Sequence, residues 1–509
     1  MDLVNRSKPT ASDRSITAGG SDFLQLDTGD APPGGLSDWL AERLRAAVSD
    51  GRLPVGGRLP ATRVLAADLR VSRGVVTEAY RRLIEDGHAA GHGRRGTVIV
   101  AAPVTAQPDR ALPVTALPVT TGAAGPSGEP FPAEPGADVY DALREASARI
   151  DLSPGLPDLA AFPRAAWLRA ERAVIGDLAA PGLGYGDPRG TPALRRAVAG
   201  WLARNRGIGA DPDEIVIVSG TAQAFGLFAH VLRADGIGEV AMEDPGSLGA
   251  RQHLEYWGLR TPPVPVDADG IRVDELRAAG APVALLTPAH QFPTGVVLGG
   301  ERRRELMRWA DGGGIVIEDD YDAEHRYDRP PVPALRAMLP ERVCYTGSVS
   351  KLLAPALRLG WVMAPAAYRE ALVDAKRFAD LGNAALPQLV LAHLMESGEL
   401  ERQLRFLRRR HRRRRDAMIE AIEAHLPGAV VHGAAAGLHL MITFAGGPGA
   451  GVPDLELAAA ALARGVKVHP LSWHSRRRDR QGLVMGYAAA PPSALREAMA
   501  TLAAAIGDL

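Results

Sequence analysis

Thr346-Gly347-Ser348-Val349-Ser350-Lys351-Leu352-Leu353-Ala354-Pro355-Ala356-Leu357-Arg358-Leu359-Gly360 sets a primary amine among small hydroxyl residues, with a cation seven positions further on. Lys8, Lys351, Lys376 and Lys467 are the only lysines in a chain that uses arginine almost everywhere else. The difference is chemical. A guanidinium stays protonated and cannot form an imine, whereas a desolvated amine can lose its proton and attack an aldehyde carbon. Ser348, Ser350, the backbone freed by Gly347, and Arg358 suit a phosphate. One cofactor that carries both an aldehyde and a phosphate is pyridoxal 5'-phosphate (PLP). An exposed lysine after a serine-rich turn has the same local pattern, so the upstream sequence must decide.

Upstream, short apolar runs alternate with helical patterns: Ile215–Val218, Glu239–Met242, Val283–Leu286, Ile315–Ile317, Val343–Tyr345 and Leu359–Val362. Runs this short, interleaved with helices, indicate a mainly parallel sheet covered on both faces, with ligands at the carboxyl ends of its strands. The polar candidates cluster at those ends. Ser219-Gly220-Thr221-Ala222-Gln223 is a glycine turn opening a helix, an anion site by virtue of its amides and helix dipole. Glu318-Asp319-Asp320-Tyr321-Asp322 follows the strand at Ile315. Consecutive buried carboxylates need a cationic partner. A protonated pyridine nitrogen would serve, with Tyr321 reaching the ring oxygen; a magnesium ion is the rival account.

Length predicts two or more domains, since 509 residues exceed a single core. The net charge is zero, so any nucleic-acid surface must arise from local asymmetry. Cys344 is the only cysteine, which excludes an intrachain disulfide or a thiolate metal cluster. No metal site is expected. No apolar stretch suits a leader or a membrane span, so a cytoplasmic protein without membrane contact is expected.

Residues 1–35 are rich in Ser, Asp, Gly and Pro and read as a flexible arm. Trp39, Leu40, Leu44 and Val48 then recur at helical spacing, followed by a short helix through Val64, Leu65 and Leu69. Ser72 caps a third helix, and His92-Gly93-Arg94-Arg95-Gly96-Thr97-Val98-Ile99 reads as a hairpin with a basic tip. This order describes a winged helix-turn-helix. Between Leu36 and Val100, eleven Arg face seven Asp plus Glu, the sign that phosphate contact requires. Ser72, Arg73, Thr77 and Arg81 are candidates for the recognition face, Arg63 for the DNA backbone, and Arg94 and Arg95 for the minor groove. Gly57-Arg58-Leu59-Pro60-Ala61-Thr62-Arg63-Val64-Leu65-Ala66 and Val71-Ser72-Arg73-Gly74-Val75-Val76 closely resemble the GntR-type winged helix.

The rest resembles the fold-type I aminotransferases, on several landmarks. These are Phe162-Pro163 with Trp167, Gly184-Tyr185-Gly186-Asp187-Pro188-Arg189-Gly190, Ser219–Gln223, Glu243-Asp244-Pro245-Gly246, Thr287–Gly295, and the lysine stretch itself. That resemblance implies Lys351 as the Schiff-base lysine of PLP, Asp319 at the pyridine nitrogen and Tyr321 at the ring oxygen. It also implies Thr221, Ala222, Gln223, Ser348, Ser350 and Arg358 around the phosphate, and His290 near the ring. Asp320 remains an alternative to Asp319, because one residue fewer than usual separates acid and tyrosine. Phe292 replaces the usual Asn before Pro-Thr-Gly, and Ser247 replaces a stacking aromatic; both departures weigh against efficient transamination more than against cofactor binding. His290-Gln291-Phe292-Pro293 is typical of the MocR/GabR subgroup of GntR regulators. Ser348-Val349-Ser350-Lys351 also meets the S-x-x-K pattern of penicillin-binding enzymes, but no lysine precedes the Thr-Gly which that chemistry needs.

The expected organisation is an arm (1–35), a winged helix (36–101), a Pro/Ala/Thr-rich linker (102–145) and an aminotransferase-like effector domain (146–509) with a smaller C-terminal α+β subdomain. The arginine-rich run 402–415 reads as a helix with a solvated basic face, auxiliary DNA contact being the other reading. Arg476, Arg477, Arg478 and Arg480 compete for a carboxylate-binding role. The resemblance implies a PLP-binding regulator of a double-stranded DNA operator, responsive to an amino compound or to PLP itself, and a head-to-tail homodimer. The alternative is an active aminotransferase with an autoregulatory DNA-binding module.

Overall fold

Trp39, Leu40, Leu44 and Val48 fall on one face of helix α1 (Leu36–Ser49) and are buried there. Helices α2 (Thr62–Asp68) and α3 (Arg73–Glu85) close over that face with Leu65, Val76, Ala79, Tyr80 and Leu83. Each of the Leu and Val side chains contributes about 1.5–3 kcal/mol on full burial. Ser72 caps α3 as expected, its Oγ accepting the Val75 N–H at 3.4 Å. The Tyr80 hydroxyl donates to the Pro60 carbonyl at 2.8 Å, tying α3 to the turn before α2. Strands β1 (Ala89–Gly91) and β2 (Thr97–Ile99) pair antiparallel, with Ala90 opposite Val98, and complete the winged helix.

The computed structural model describes residues 28, 31–32, 35–49, 52–54, 56–85, 88–91, 96–100, 131–327, 332–477 and 480–509. The chain divides into two units, Met1–Thr121 and Gly122–Leu509. Arg94 and Arg95, Arg478, most of the arm and residues 101–130 of the linker lie outside the described residues.

Folded structure begins earlier than expected in the larger unit. Residues 131–145, assigned from sequence to the linker, pack on the C-terminal subdomain: the Phe131 ring lies 5.4 Å from that of Trp473, whose indole N–H donates to the Pro132 carbonyl at 2.9 Å. Helix α4 (Val139–Glu145) buries Val139 and Leu143. The physical reason is a short apolar stripe, Val139 and Leu143 four residues apart, hidden behind a proline-rich composition.

The central sheet has eight strands: β3 (Val216–Val218), β4 (Ala241–Asp244), β5 (Pro263–Asp267), β6 (Gly270–Ile271), β7 (Val283–Leu286), β8 (Ile315–Asp320), β9 (Val343–Ser348) and β10 (Gly360–Met363). Their spatial order is β3-β10-β9-β8-β7-β4-β5-β6, with β10 antiparallel to both its neighbours, β6 antiparallel to β5 and the remaining pairs parallel. Alternation divides the strands' side chains between two cores: Ile217, Tyr345 and Trp361 on one face, Val216, Cys344 and Val362 on the other. Helix α5 (Thr221–Ala234) covers the second face through Phe225, Phe228 and Leu232. Helix α6 (Leu248–Tyr256) follows β4.

The smaller C-terminal sheet joins β11 (Ala429–His432), β12 (His439–Phe444), β13 (His469–Pro470) and β14 (Leu483–Gly486), all antiparallel, in the order β11-β12-β14-β13. Helix α7 (Glu399–His425) carries the arginine run, and its basic face is not simply solvated. Arg414 and Arg415 are buried; Arg410 and Arg414 both pair with Asp158, at 2.5 and 2.8 Å. Arg408 donates to the Glu324 carbonyl at 2.7 Å and Arg415 to that of Ala434 at 2.8 Å. These cations satisfy backbone carbonyls and one buried carboxylate, partners that sequence cannot reveal because they come from distant segments.

Candidate functional site

A cavity of about 270 Å³ opens at the carboxyl ends of the sheet strands. Five expected residues line it: Thr221, Ala222, Asp319, Tyr321 and Lys351. Gln223, His290, Ser348, Ser350 and Arg358 are not among the lining residues: His290 and Ser348 are buried, and Arg358 is exposed.

Lys351 follows β9, and its amine donates to the Gly155 carbonyl at 2.5 Å. Burial lowers its pKa, opposed by the charges of Asp322 and Asp319. A lowered pKa favours the free amine that attacks a carbonyl carbon.

Asp319 and Asp320, at the end of β8, point to opposite sides of the strand and have different partners. Asp320 is paired: its Oδ2 lies 2.5 Å from Arg206 Nε and accepts the Tyr345 hydroxyl at 2.5 Å. Asp319 is not so used. Its Oδ1, like that of Asp320, is buried without a hydrogen-bond partner, but Asp319 alone of the two lines the cavity, and burial, then Asp320 and Asp322, push its pKa up to about 7. A buried carboxylate oxygen left unpaired in a cavity wall fits a donor such as a pyridinium N–H.

At the other end, Gly220 has φ of 79° and turns the chain into α5, whose first residues are Thr221 and Ala222. Arg358, itself left-handed at φ of 50°, lays its guanidinium over Gly220 and donates to the Ser219 carbonyl. The φ at Gly220 favours glycine, and a Cβ there would sit 3.3 Å from the guanidinium, which would have to shift slightly. Helix N-terminus plus arginine makes an anion site. Gln223 differs from expectation: its side chain accepts the Ser219 N–H at 2.8 Å and Lys376 Nζ at 2.9 Å, and donates to Asp380 at 2.7 Å. It braces the turn. The Ser348 Oγ accepts the Ser350 N–H at 3.4 Å, shaping the lysine loop.

His290 lies one layer back. Its Nδ1 sits 3.0 Å from Asp322 Oδ2 and 3.0 Å from the Tyr321 hydroxyl, fixing the phenol. Phe292, not His290, reaches the cavity surface. His290, Asp322 and His439 bring three potential ligand atoms within 4.8 Å of one another; the Nδ1 of His290 is shared between Asp322 and Tyr321, while its Nε2 has no hydrogen-bond partner.

In the small unit, Ser72, Arg73 and Thr77 are exposed on the side of α3 away from the core. Arg73, Thr77 and Arg81 are spaced four apart, hence on one helix face. Arg81 is engaged by Glu78, and Arg73 Nε donates to Thr62 Oγ1 at 3.3 Å. Arg63 is exposed at the start of α2.

Residues 149–502 match the family model described as aminotransferase class I and II, and residues 36–99 the one described as bacterial regulatory proteins, gntR family. The chain is 30% identical to a probable rhizopine catabolism regulatory protein MocR of Rhizobium meliloti, over 92% of each chain. The chain belongs to the MocR-type GntR regulators. It is also 28% identical to the HTH-type pyridoxine biosynthesis transcriptional regulator PdxR of Corynebacterium glutamicum, over 93% of this chain and 96% of that one. Among solved structures it resembles a Pyrococcus horikoshii kynurenine aminotransferase in complex with PMP, with 28% identity and a TM-score of 0.66, covering 73% of this chain and 95% of that one.

The cavity of this MocR-type chain includes side chains that sequence reading missed. Tyr140, Phe225, His253, His469 and His474 all line it. Tyr140 sits on α4, in the stretch taken for linker. His469 and His474 frame the 3-10 turn after β13. Two histidines within six residues, His469 and His474, were the available signal. Of the competing arginines, Arg476 pairs with Glu255, and its backbone N–H donates to Asp244 Oδ1 at 2.8 Å. Neither Arg476, Arg477 nor Arg480 lines the cavity.

Proposed function

We propose that this chain is a PLP-dependent, ligand-responsive transcription regulator whose aminotransferase-like unit senses an amino compound or PLP. The observation that carries the reading is the unpaired, buried Asp319 Oδ1 in one cavity with the desolvated Lys351 amine. PLP, when bound, supplies an aldehyde that exchanges amines and a ring that withdraws electrons. Lys351 is the amine positioned for that aldehyde. Asp319 accepts a hydrogen bond from the pyridinium N–H. Tyr321, held by His290, faces the ring oxygen. Thr221, the first amides of α5 and Arg358 receive the phosphate.

An effector that binds one arrangement of the cavity better than another changes DNA affinity by that difference; about 1.4 kcal/mol of coupling gives tenfold. Ser72, Arg73 and Thr77 read base edges, and Arg63 meets phosphate. A dimer is supported by the exposed apolar surface at Leu183, Tyr185, Phe378 and Leu381, with Tyr185 96% and Phe378 87% accessible. The head-to-tail arrangement suits a winged helix joined by a long Pro-rich stretch. The protein is expected in the cytoplasm, where its DNA is; among the described residues no helix is long and apolar enough to cross a membrane.

Titration with PLP should produce visible absorbance and alter the affinity for DNA flanking the protein's own gene. Lys351→Ala should do neither. Transaminase activity is the second reading, favoured by the intact Lys351, Asp319 and Tyr321 set. Repeated conversion of an amino donor and a keto acid at a steady rate would establish it.

A further inference from the structure

Once Lys351, Asp319, Tyr321, Thr221 and Ala222 are assigned to the cofactor, the rest of the lining still contains buried ring nitrogens without a well-formed hydrogen bond. His469 and His474 are 4% and 1% accessible, yet His469 Nδ1 and both ring nitrogens of His474 lack a well-formed hydrogen bond. Both side chains line the cavity, as does Tyr140. Their rings pack in one row along the wall: Tyr140 and His469 lie 6.1 Å apart, the two imidazoles are stacked at 6.3 Å and 11°, and Phe292 meets His474 edge-on at 5.0 Å. The buried imidazoles of His325 and His411 are also unpaired but stand away from the cavity; His469 and His474 differ in lining it, which is where a ligand can reach them.

The charge of this wall restricts the ligand. Among the described residues, Lys351 is the only Lys or Arg in the cavity lining. Three cations behind the wall are committed elsewhere: Arg251 donates to the Trp473 carbonyl at 2.9 Å, Arg476 pairs with Glu255, and Lys467, which acts on His469 together with Asp151, donates to the Leu143 carbonyl at 2.6 Å and to Asp151 at 3.3 Å. Burial holds the His469 imidazole down to about 4 and that of His474 well below its usual range, the latter opposed by the Gly246 backbone. A carboxylate or sulfonate placed here would lose water without gaining a counter-charge.

We infer that Tyr140, His469 and His474 form the effector subsite, and that it takes primary amines whose far end is an uncharged, planar, hydrogen-bonding group such as a phenol or a pyridine. The inference rests on the PLP-sensor reading above, because the amine end must meet the cofactor at Lys351.

The test titrates PLP-loaded, full-length protein at pH 8 with tyramine, 3-(aminomethyl)pyridine, 4-aminobutyrate and taurine, following the cofactor's absorbance. Tyramine and 3-(aminomethyl)pyridine should half-saturate at concentrations about tenfold or more below the two anionic amines, the worth of one hydrogen bond to an otherwise unpaired group. His469→Phe and His474→Phe keep a ring in the wall but remove its polar atoms. At least one should erase the preference while the PLP absorbance stays. Equal or tighter response to the anionic amines, no response to any probe, or unchanged selectivity in both variants overturns the inference. Protein that never acquires PLP absorbance instead overturns the cofactor reading beneath it.

Discussion

Asp319→Asn replaces a buried carboxylate lacking a partner at one oxygen with a neutral amide of the same shape. In the cofactor-free protein this carboxyl is raised from 3.8 to about 7, chiefly by burial. The unfolded chain therefore releases the proton near its ordinary value, while the folded chain holds it to near neutrality. Between those pH values the folded state binds more protons, so stability falls as pH rises, and above about 7 the full penalty applies. A shift of roughly three pH units at about 1.4 kcal/mol each makes that penalty about 4 kcal/mol, an upper bound. Cofactor-stripped Asp319→Asn should consequently be more stable than the parent at pH 8 by a few kcal/mol. The gap should shrink by more than half at pH 5. Adding PLP should reverse the order at pH 8, because the parent gains a charge-assisted bond to the pyridinium and the variant does not. Urea midpoints of the larger unit at both pH values, with and without PLP, measure all four quantities. An apo variant no more stable than the parent at pH 8, or equal protection of both by PLP, would refute the assignment of Asp319 to the pyridine nitrogen.

Asp320→Asn should instead leave PLP absorbance in place and destabilise the fold, because it leaves the buried Arg206 guanidinium without its counter-charge; breaking such a pair costs about 3–5 kcal/mol, readable as a lowered urea midpoint. Arg63→Ala should weaken DNA binding similarly on specific and unrelated sequences and reduce the salt slope by about one, measured by fluorescence anisotropy at several salt concentrations. Arg73→Ala should lower the ratio of specific to non-specific affinity. Cys344, buried in β9 with its thiol pushed up to about 12 by burial, should resist thiol reagents in the native protein at pH 8 and react on unfolding.

Sequence alone determined the elements whose cause is local. Apolar periodicity gave α1 and α3, Ser72 marked a helix start, and six short apolar runs gave six of the eight strands in the main sheet. The chemistry of Lys351 was legible because a lysine is rare in this chain and an arginine cannot replace it. Tertiary structure alone decided everything that depends on which distant groups meet. Asp319 and Asp320 are indistinguishable as neighbours in sequence; they differ because Arg206 and Tyr345 lie on one side of β8 and the cavity on the other. His290 was placed at the ring by its motif, yet Asp322 holds it behind Tyr321 while Phe292 takes the surface. The arginines of α7 turned inward because Asp158 and several free carbonyls came to meet them. Local pattern fixes where a side chain starts; the partners that determine its charge, its exposure and its use arrive through the fold.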